Sequence, residues 1–255
     1  MKTSEDQLKE LGLILVDTGA LLMSSGASTA RTRNTVNRIS ERFDFQTDMF
    51  ITHRAIMLTV HDEANKYTFS CVKRTSPHGV NFKIVSGISR MSWRVMDEDW
   101  NLQQIRIELN RLVGISHYPR WLVIIMIALA GASFCRIFGG GLIELIVTFF
   151  ATSIGLIVRL ESVKLNFNPY LCVFFASFIS SIIAGLSIKL NIGVSPELAF
   201  AASVLFLIPG VPLINMFSDI IDGNLMNGLI RGINGLTISF AIALGLMSAM
   251  KIYQL

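Results

Sequence analysis

Charge is what this sequence most lacks in its second half. Of the 40 Asp, Glu, Lys and Arg residues in the 255-residue chain, 28 lie in residues 1–118 and 12 in the remaining 137. Cysteine is scarce as well: Cys71, Cys135 and Cys172 are far apart, and two of them sit inside apolar runs. With no C-x-x-C pair and no His/Cys spacing suited to a metal, the sequence carries no disulfide framework and no metal site, and the thiols read as small buried groups. The four histidines, His53, His61, His78 and His117, are scattered. No G-x-S-x-G, P-loop or H-E-x-x-H pattern occurs, so no catalytic residue and no cofactor is assigned.

Strong cationic character is missing too. The net charge is +4, yet residues 1–118 hold 15 basic side chains against 13 acidic ones, which argues against a nucleic-acid partner. Arg31, Arg33, Arg38 and Arg42 form a local basic stretch that reads as a solvated helix face or a face near anionic lipid. Residues 1–10 are polar and Asp17 comes soon after, so no signal peptide is expected and the first membrane span is placed from Trp121 onward.

What is present divides at Tyr118-Pro119-Arg120-Trp121. After it come five long apolar runs, near residues 120–138, 139–159, 168–188, 197–214 and 229–250. Each is apolar nearly all round and about 20 residues long, as a hydrocarbon core about 30 Å thick requires. The expected fold is therefore a polytopic α-helical membrane domain of five transmembrane helices, residues 118–255, preceded by a small cytoplasmic α/β domain, residues 1–117. Tyr118, Trp121 and Tyr170 suit the interfacial belt. With the first domain inside, Arg111, Arg120, Arg159, Lys164 and Arg231 fall at cytoplasmic ends. Arg136, Lys189 and Lys251 fall outside, a modest bias that predicts a cytoplasmic N-terminus and an external C-terminus.

In the first domain, Leu8, Leu11, Gly12, Leu15, Gly19, Leu22, Met23 and Gly26 recur at helical spacing, and Ser28 or Thr29 caps a second helix reaching about Phe43. Alternation in residues 56–60 and 67–71 predicts two strands joined by the polar run 62–66. Pro77-His78-Gly79 breaks the chain, residues 82–96 are ambiguous, and 100–113 return to helix.

Chemistry concentrates late in the chain. Pro209 and Pro212 lack N–H donors and deprive the carbonyls of Leu205 and Ile208 of helical partners, while Gly210 adds backbone freedom. Broken backbone at membrane depth lines a cavity or binds ions and carboxylates; it reads equally as a kink at the interface. Asn215 lies just beyond the break. Asn224, Asn227, Arg231 and Asn234 recur on one helix face beside the small residues Gly228, Gly232 and Gly235. Arg231 offers a planar fork for a substrate carboxylate, or alternatively anchors the helix at the membrane surface. Asp219 and Asp222 could relay protons or pair with Arg231. Glu144 lies in an otherwise uncharged run, as a proton-coupling candidate or an interfacial side chain. Ser177, Ser180, Ser181 and Gly185 read as helix-packing residues.

Taken together, these stretches resemble the threonine/serine exporter family, in the shorter (YjjP-like) form that is one half of a two-component exporter. The likeness rests on Ser25-Gly26-Ala27-Ser28, Gly79-Val80-Asn81, Tyr118-Pro119-Arg120-Trp121-Leu122-Val123, Gly139-Gly140, Thr148-Phe149-Phe150-Ala151 and residues 201–205. Its most specific part is Ile208-Pro209-Gly210-Val211-Pro212-Leu213-Ile214-Asn215 with Asp219, Gly223, Gly228 and Arg231. The resemblance implies export of small carboxylates, either threonine and serine or a dicarboxylate such as succinate, with a separate small polytopic membrane subunit (YjjB-like). Homo-oligomerisation would cover the broken helix as well. The competing readings are a membrane-anchored hydrolase, with a Ser or Cys nucleophile and a distant His in the first domain, and a sensor that uses that domain as a switch.

Overall fold

The computed structural model describes residues 4–62, 67–76, 79–115 and 118–254. Most of the expected connection 62–66, together with Pro77, His78 and His117, lies outside them. The described elements run α1 (Ser4–Ser24), α2 (Thr29–Glu41), β1 (Phe45–Ile51), β2 (Ala55–Asp62), β3 (Thr68–Arg74), α3 (Phe82–Asp97), α4 (Leu102–Val113), α5 (Arg120–Ile137), α6 (Leu142–Lys164), α7 (Pro169–Lys189), α8 (Pro196–Ala202), a 3-10 turn at Leu205–Leu207, α9 (Gly210–Ile221) and α10 (Leu225–Tyr253). They divide into two compact units. One is Met1–Ser116 with Val211–Gly232; the other is His117–Gly210 with Ile233–Leu255. Residues 211–232 thus cluster with the first unit although they lie beyond the compositional boundary at 117/118.

The first unit is organised on α1. Leu8, Leu11, Ile14, Leu15, Leu22 and Met23 are fully buried, because a 3.6-residue period keeps them on one side. That side packs on α2, on β2 and β3, and on α4. The sheet is antiparallel in the order β1-β2-β3 and turns Ile56, Leu58 and Val60 into the core. Strand β1 was not legible as a strand: its inward Thr47 is polar and hydrogen-bonds Asn37 Oδ1, while its outward Phe50 is apolar, so alternation is masked. The ambiguous stretch is helix α3, capped by the Asn81 side chain, with Ile84, Val85, Ile88, Met91 and Val95 buried at helical spacing. Helix α4 opens with a capping box, Asn101 and Gln104 each accepting the other's backbone N–H. Three of the four basic side chains read as a solvated or lipid-facing helix face bind within this unit: Arg33 to Asn224, Arg38 to Ser92 and the Trp93 ring, and Arg42 to Asp99.

In the second unit α6 packs on α5 and α7, and α8 packs on α7 and α6. Small residues permit close approach: Ser180 Oγ donates to the Ala151 carbonyl at 3.1 Å and Ser177 Oγ to that of Ile242 at 2.7 Å. Among the described residues four helices, α5, α6, α7 and α10, are long and apolar enough to cross a membrane, and five spans result if the broken pair Pro196–Leu207 and Gly210–Ile221 counts as one. The expected span 197–214 is therefore not continuous. Phe134, Ile137, Leu142, Phe150, Leu236 and Phe240 are exposed, and apolar surface of this extent matches lipid rather than water.

The end of α1 sets the path of the chain into α2. Gly26 adopts φ +94°, and its N–H and that of Ala27 close the helix on the carbonyls of Met23 and Leu22. A Cβ at Gly26 would lie 3.2 Å from the Gly79 carbonyl oxygen as well as in the left-handed region. Gly26→Ala is expected to lower stability by about 1–2 kcal/mol, read as a fall in thermal midpoint of the detergent-solubilised chain.

Candidate functional site

Polar groups of α9 and the start of α10 converge on the five-residue turn Ser25–Thr29 that joins α1 to α2. Asn215 Nδ2 donates to the Gly26 carbonyl at 2.9 Å, and Arg231 Nη2 donates to the Ala27 carbonyl at 2.8 Å. The Thr29 N–H donates to Asp219 Oδ1 at 2.9 Å. Asn227 Nδ2 donates to Thr29 Oγ1 at 3.2 Å and to the Ile51 carbonyl at 2.8 Å. Arg33 Nη2 donates to Asn224 Oδ1 at 3.2 Å. All of these groups belong to the first unit.

An ion pair sits at the centre. Arg231 Nε lies 3.3 Å from Asp219 Oδ2, with the two side chains 6% and 0% exposed. Taking two charges from water costs several kcal/mol each, offset only by close pairing and by further hydrogen bonds. Those bonds come from the protein backbone. Thr29 is the first residue of α2, so its N–H is one of the donors that a helix leaves unsatisfied, and the carboxylate also meets the positive end of the helix dipole. Satisfaction is incomplete: Asp219 Oδ2 and Arg231 Nη1 have no hydrogen-bond partner among the described residues. Removing either charge would strand the other, at about 3–5 kcal/mol.

His53, in the turn between β1 and β2, feels this cation. Burial, then the charges of Arg231 and Arg54, hold its pKa below the usual 6.5.

The other expected site residues fall elsewhere. Pro209 immediately precedes α9, and Pro212 is its third residue, where a missing N–H costs little. The two carbonyls expected to lose α-helical partners are met by nearer N–H groups instead: that of Leu205 by the Ile208 N–H at 3.2 Å, that of Ile208 by the Gly210 N–H at 2.9 Å. Asn234, expected on the Arg231 face, belongs to the second unit and accepts a hydrogen bond from Tyr170 Oη at 2.9 Å. Asp222 is exposed at the end of α9. Glu144 is 1% exposed, and its Oε1 accepts the N–H groups of Val194 and Ser195 at 2.6 and 2.8 Å, which fastens the loop before α8. Thr29, Gly26 and Ala27 were not anticipated as partners of Asp219, Asn215 and Arg231; nearly 200 residues separate the two groups. Among the described residues no group of three or more His, Cys, Asp and Glu side chains could hold a metal.

A family model described as "Putative threonine/serine exporter" (ThrE) matches residues 13–253, so both the Ser25–Thr29 turn and the α9–α10 segment lie inside it. The chain belongs to the threonine/serine exporter family. Relatives named "Probable succinate transporter subunit YjjP" occur in Klebsiella aerogenes, 25% identical over 100% of this chain and 98% of the relative, and in Escherichia coli K12, 25% identical over 98% and 97%. An uncharacterized protein of Haemophilus influenzae is 24% identical over 54% of this chain and 46% of its own length. No solved structure matches significantly. Membership in an exporter family, with apolar helices of spanning length, describes a membrane protein with a transport role rather than an enzymatic one.

For His53 the sign is fixed by its lowered folded-state pKa: the unfolded chain binds the proton more readily, so stability is full above the unfolded value of 6.5 and declines as pH falls through it. Thermal midpoints measured from pH 7.5 down to 5.5 should fall more steeply for the unaltered protein than for His53→Gln.

Proposed function

We propose that the chain is one subunit of a bacterial inner-membrane exporter for small carboxylate metabolites, a dicarboxylate such as succinate or the amino acids threonine and serine. The observation that carries this reading is a guanidinium withdrawn from water beside a carboxylate, immediately after a broken membrane helix. Desolvated arginine recognises carboxylates in a planar, bidentate fashion, which a lysine cannot reproduce. The family match and the word "subunit" in the relatives' names point the same way.

In this reading the broken pair counts as the fourth of five spans, the N-terminal domain is cytoplasmic and the C-terminus is external, with a second small polytopic subunit completing the path. Arg231 holds the substrate carboxylate, Asn215 and Asn227 shape its surroundings, and Asp219 is the internal counter-charge. Helix α9 is amphipathic: Asn215 and Asp219 turn toward the Ser25–Thr29 turn, while Ile214, Phe217 and Ile221 are exposed.

Efflux of labelled succinate, threonine and serine from proteoliposomes, with and without the partner, tests the proposal. Arg231→Lys keeps the charge that balances Asp219 while losing the fork, so it should insert normally yet reduce efflux by about tenfold or more. Unchanged efflux at equal protein level would reject the role of Arg231. Absence of efflux of any of the three by the complete complex would reject the function.

A further inference from the structure

We infer that the Asp219 carboxylate occupies a carboxylate-binding subsite, built from the Thr29 N–H at the start of α2 and the Arg231 guanidinium, which the exported substrate takes over when Asp219 withdraws. The inference rests on the export reading above and adds two things to it: a ligand group on the N-terminal domain, and a competitor inside the protein.

The donors are of the kind that a free carboxylate seeks. A helix N-terminus presents backbone N–H groups and a positive dipole, and a guanidinium presents a planar fork. Helix α2 has 13 residues, Ser28 caps it by accepting the Arg31 N–H, and the Thr29 N–H points at Asp219. Arg231 is 5% exposed, and its Nη1 has no hydrogen-bond partner among the described residues. Asp219 therefore leaves part of the guanidinium's donor capacity unused. Its own Oδ2 likewise lacks a hydrogen bond, though it lies within ion-pair distance of Nε. A ligand carboxylate, not tethered to a backbone, can satisfy both the fork and the helix N–H together.

Asp219 can withdraw because of what carries it. Helix α9 is a 12-residue segment with a joint at each end. On one side Ile208 is extended at ψ 126° before Pro209; on the other Gly223 adopts φ +79°. Arg231, in contrast, is set in the continuous 29-residue α10, and Thr29 in α2. A tilt of α9 between its joints removes the carboxylate and leaves both donors in place. Asn215 moves with α9 and releases the Gly26 carbonyl, so ligand entry and loosening of α9 from the Ser25–Thr29 turn are one event.

Binding of radiolabelled succinate, threonine and serine to the purified full-length chain in detergent tests this. Asp219→Asn removes the competing charge while keeping the shape, and should bind at least one of the three probes about tenfold more tightly than the unaltered chain. In that background Thr29→Pro removes one N–H at the first helical position, where proline is tolerated, and Ser28 is already extended at φ −71°, ψ 161° as a residue before proline must be. Loss of a hydrogen bond to a charged group should then weaken binding about tenfold, whereas Thr29→Ala, which keeps the N–H, should hold it within about twofold. Hydrogen exchange on the unaltered chain needs no variant: saturating probe should speed exchange across α9 and leave the Thr29 amide protected. No tightening in Asp219→Asn together with unchanged exchange in α9 overturns the inference, even where the complex exports normally. Tightened binding in a complex that exports none of the probes overturns the export reading and leaves the masked subsite standing.

Discussion

A pair of opposite charges buried together against the backbone of one turn is the constraint on which the first unit turns. Asp219 and Arg231 are held by what surrounds them: the Thr29 N–H on one, the Ala27 carbonyl on the other. Neither partner can leave without stranding a charge unless another charge replaces it, so in the absence of a ligand α9, α10 and the α1–α2 turn are held to each other as a set. Gly26 makes that set possible. Its backbone, turned into the left-handed region at φ +94°, leads α1 into the segment that carries the Ala27 carbonyl and the Thr29 N–H. Asn215 and Asn227 complete the grip with neutral hydrogen bonds to the same turn.

The sequence made the membrane helices legible because lipid imposes a length and forbids charge. α5, α6, α7 and α10 fall within a few residues of the runs read from composition. The same reasoning blurred the fourth run. Hydropathy averages over Pro209 and counts α9 as more of the same helix, although Asn215 and Asp219 give it a polar side that packs on the N-terminal domain. Strand β1 escaped for the opposite reason, since an inward threonine and an outward phenylalanine reverse the alternation that marks a half-buried strand.

Individual site residues were legible as chemical types but not as pairs. Arg231 and Asp219 stood out because charge in an apolar stretch is rare, and pairing with Arg231 was one of the readings open to both Asp219 and Asp222. Their bonds to Ala27 and Thr29 were not, because backbone groups carry no mark in the sequence and lie about 190–204 residues away in the chain. Glu144 shows that charge in an apolar run can also serve the fold. It drew notice for the same reason as Asp219, yet its oxygen is spent on two loop amides, a capping role that needs only local geometry. Asn234 shows the limit of reading a helix face, for ten residues along α10 the surroundings change from the first unit to the second.

Why a buried ion pair should stand where an apolar contact would hold α9 as firmly is then the question that separates a fastening from a switch. Well-packed hydrophobic residues of equal volume commonly match or exceed such a pair in stability. They cannot, however, be displaced by a carboxylate. A charged contact can, since an incoming ligand supplies the same charge to the same donors and the energy of opening is largely returned. The proposed switch asks for a contact of that kind, closed when empty and openable by cargo, and the joints at Pro209 and Gly223 bound the helix that carries its carboxylate half.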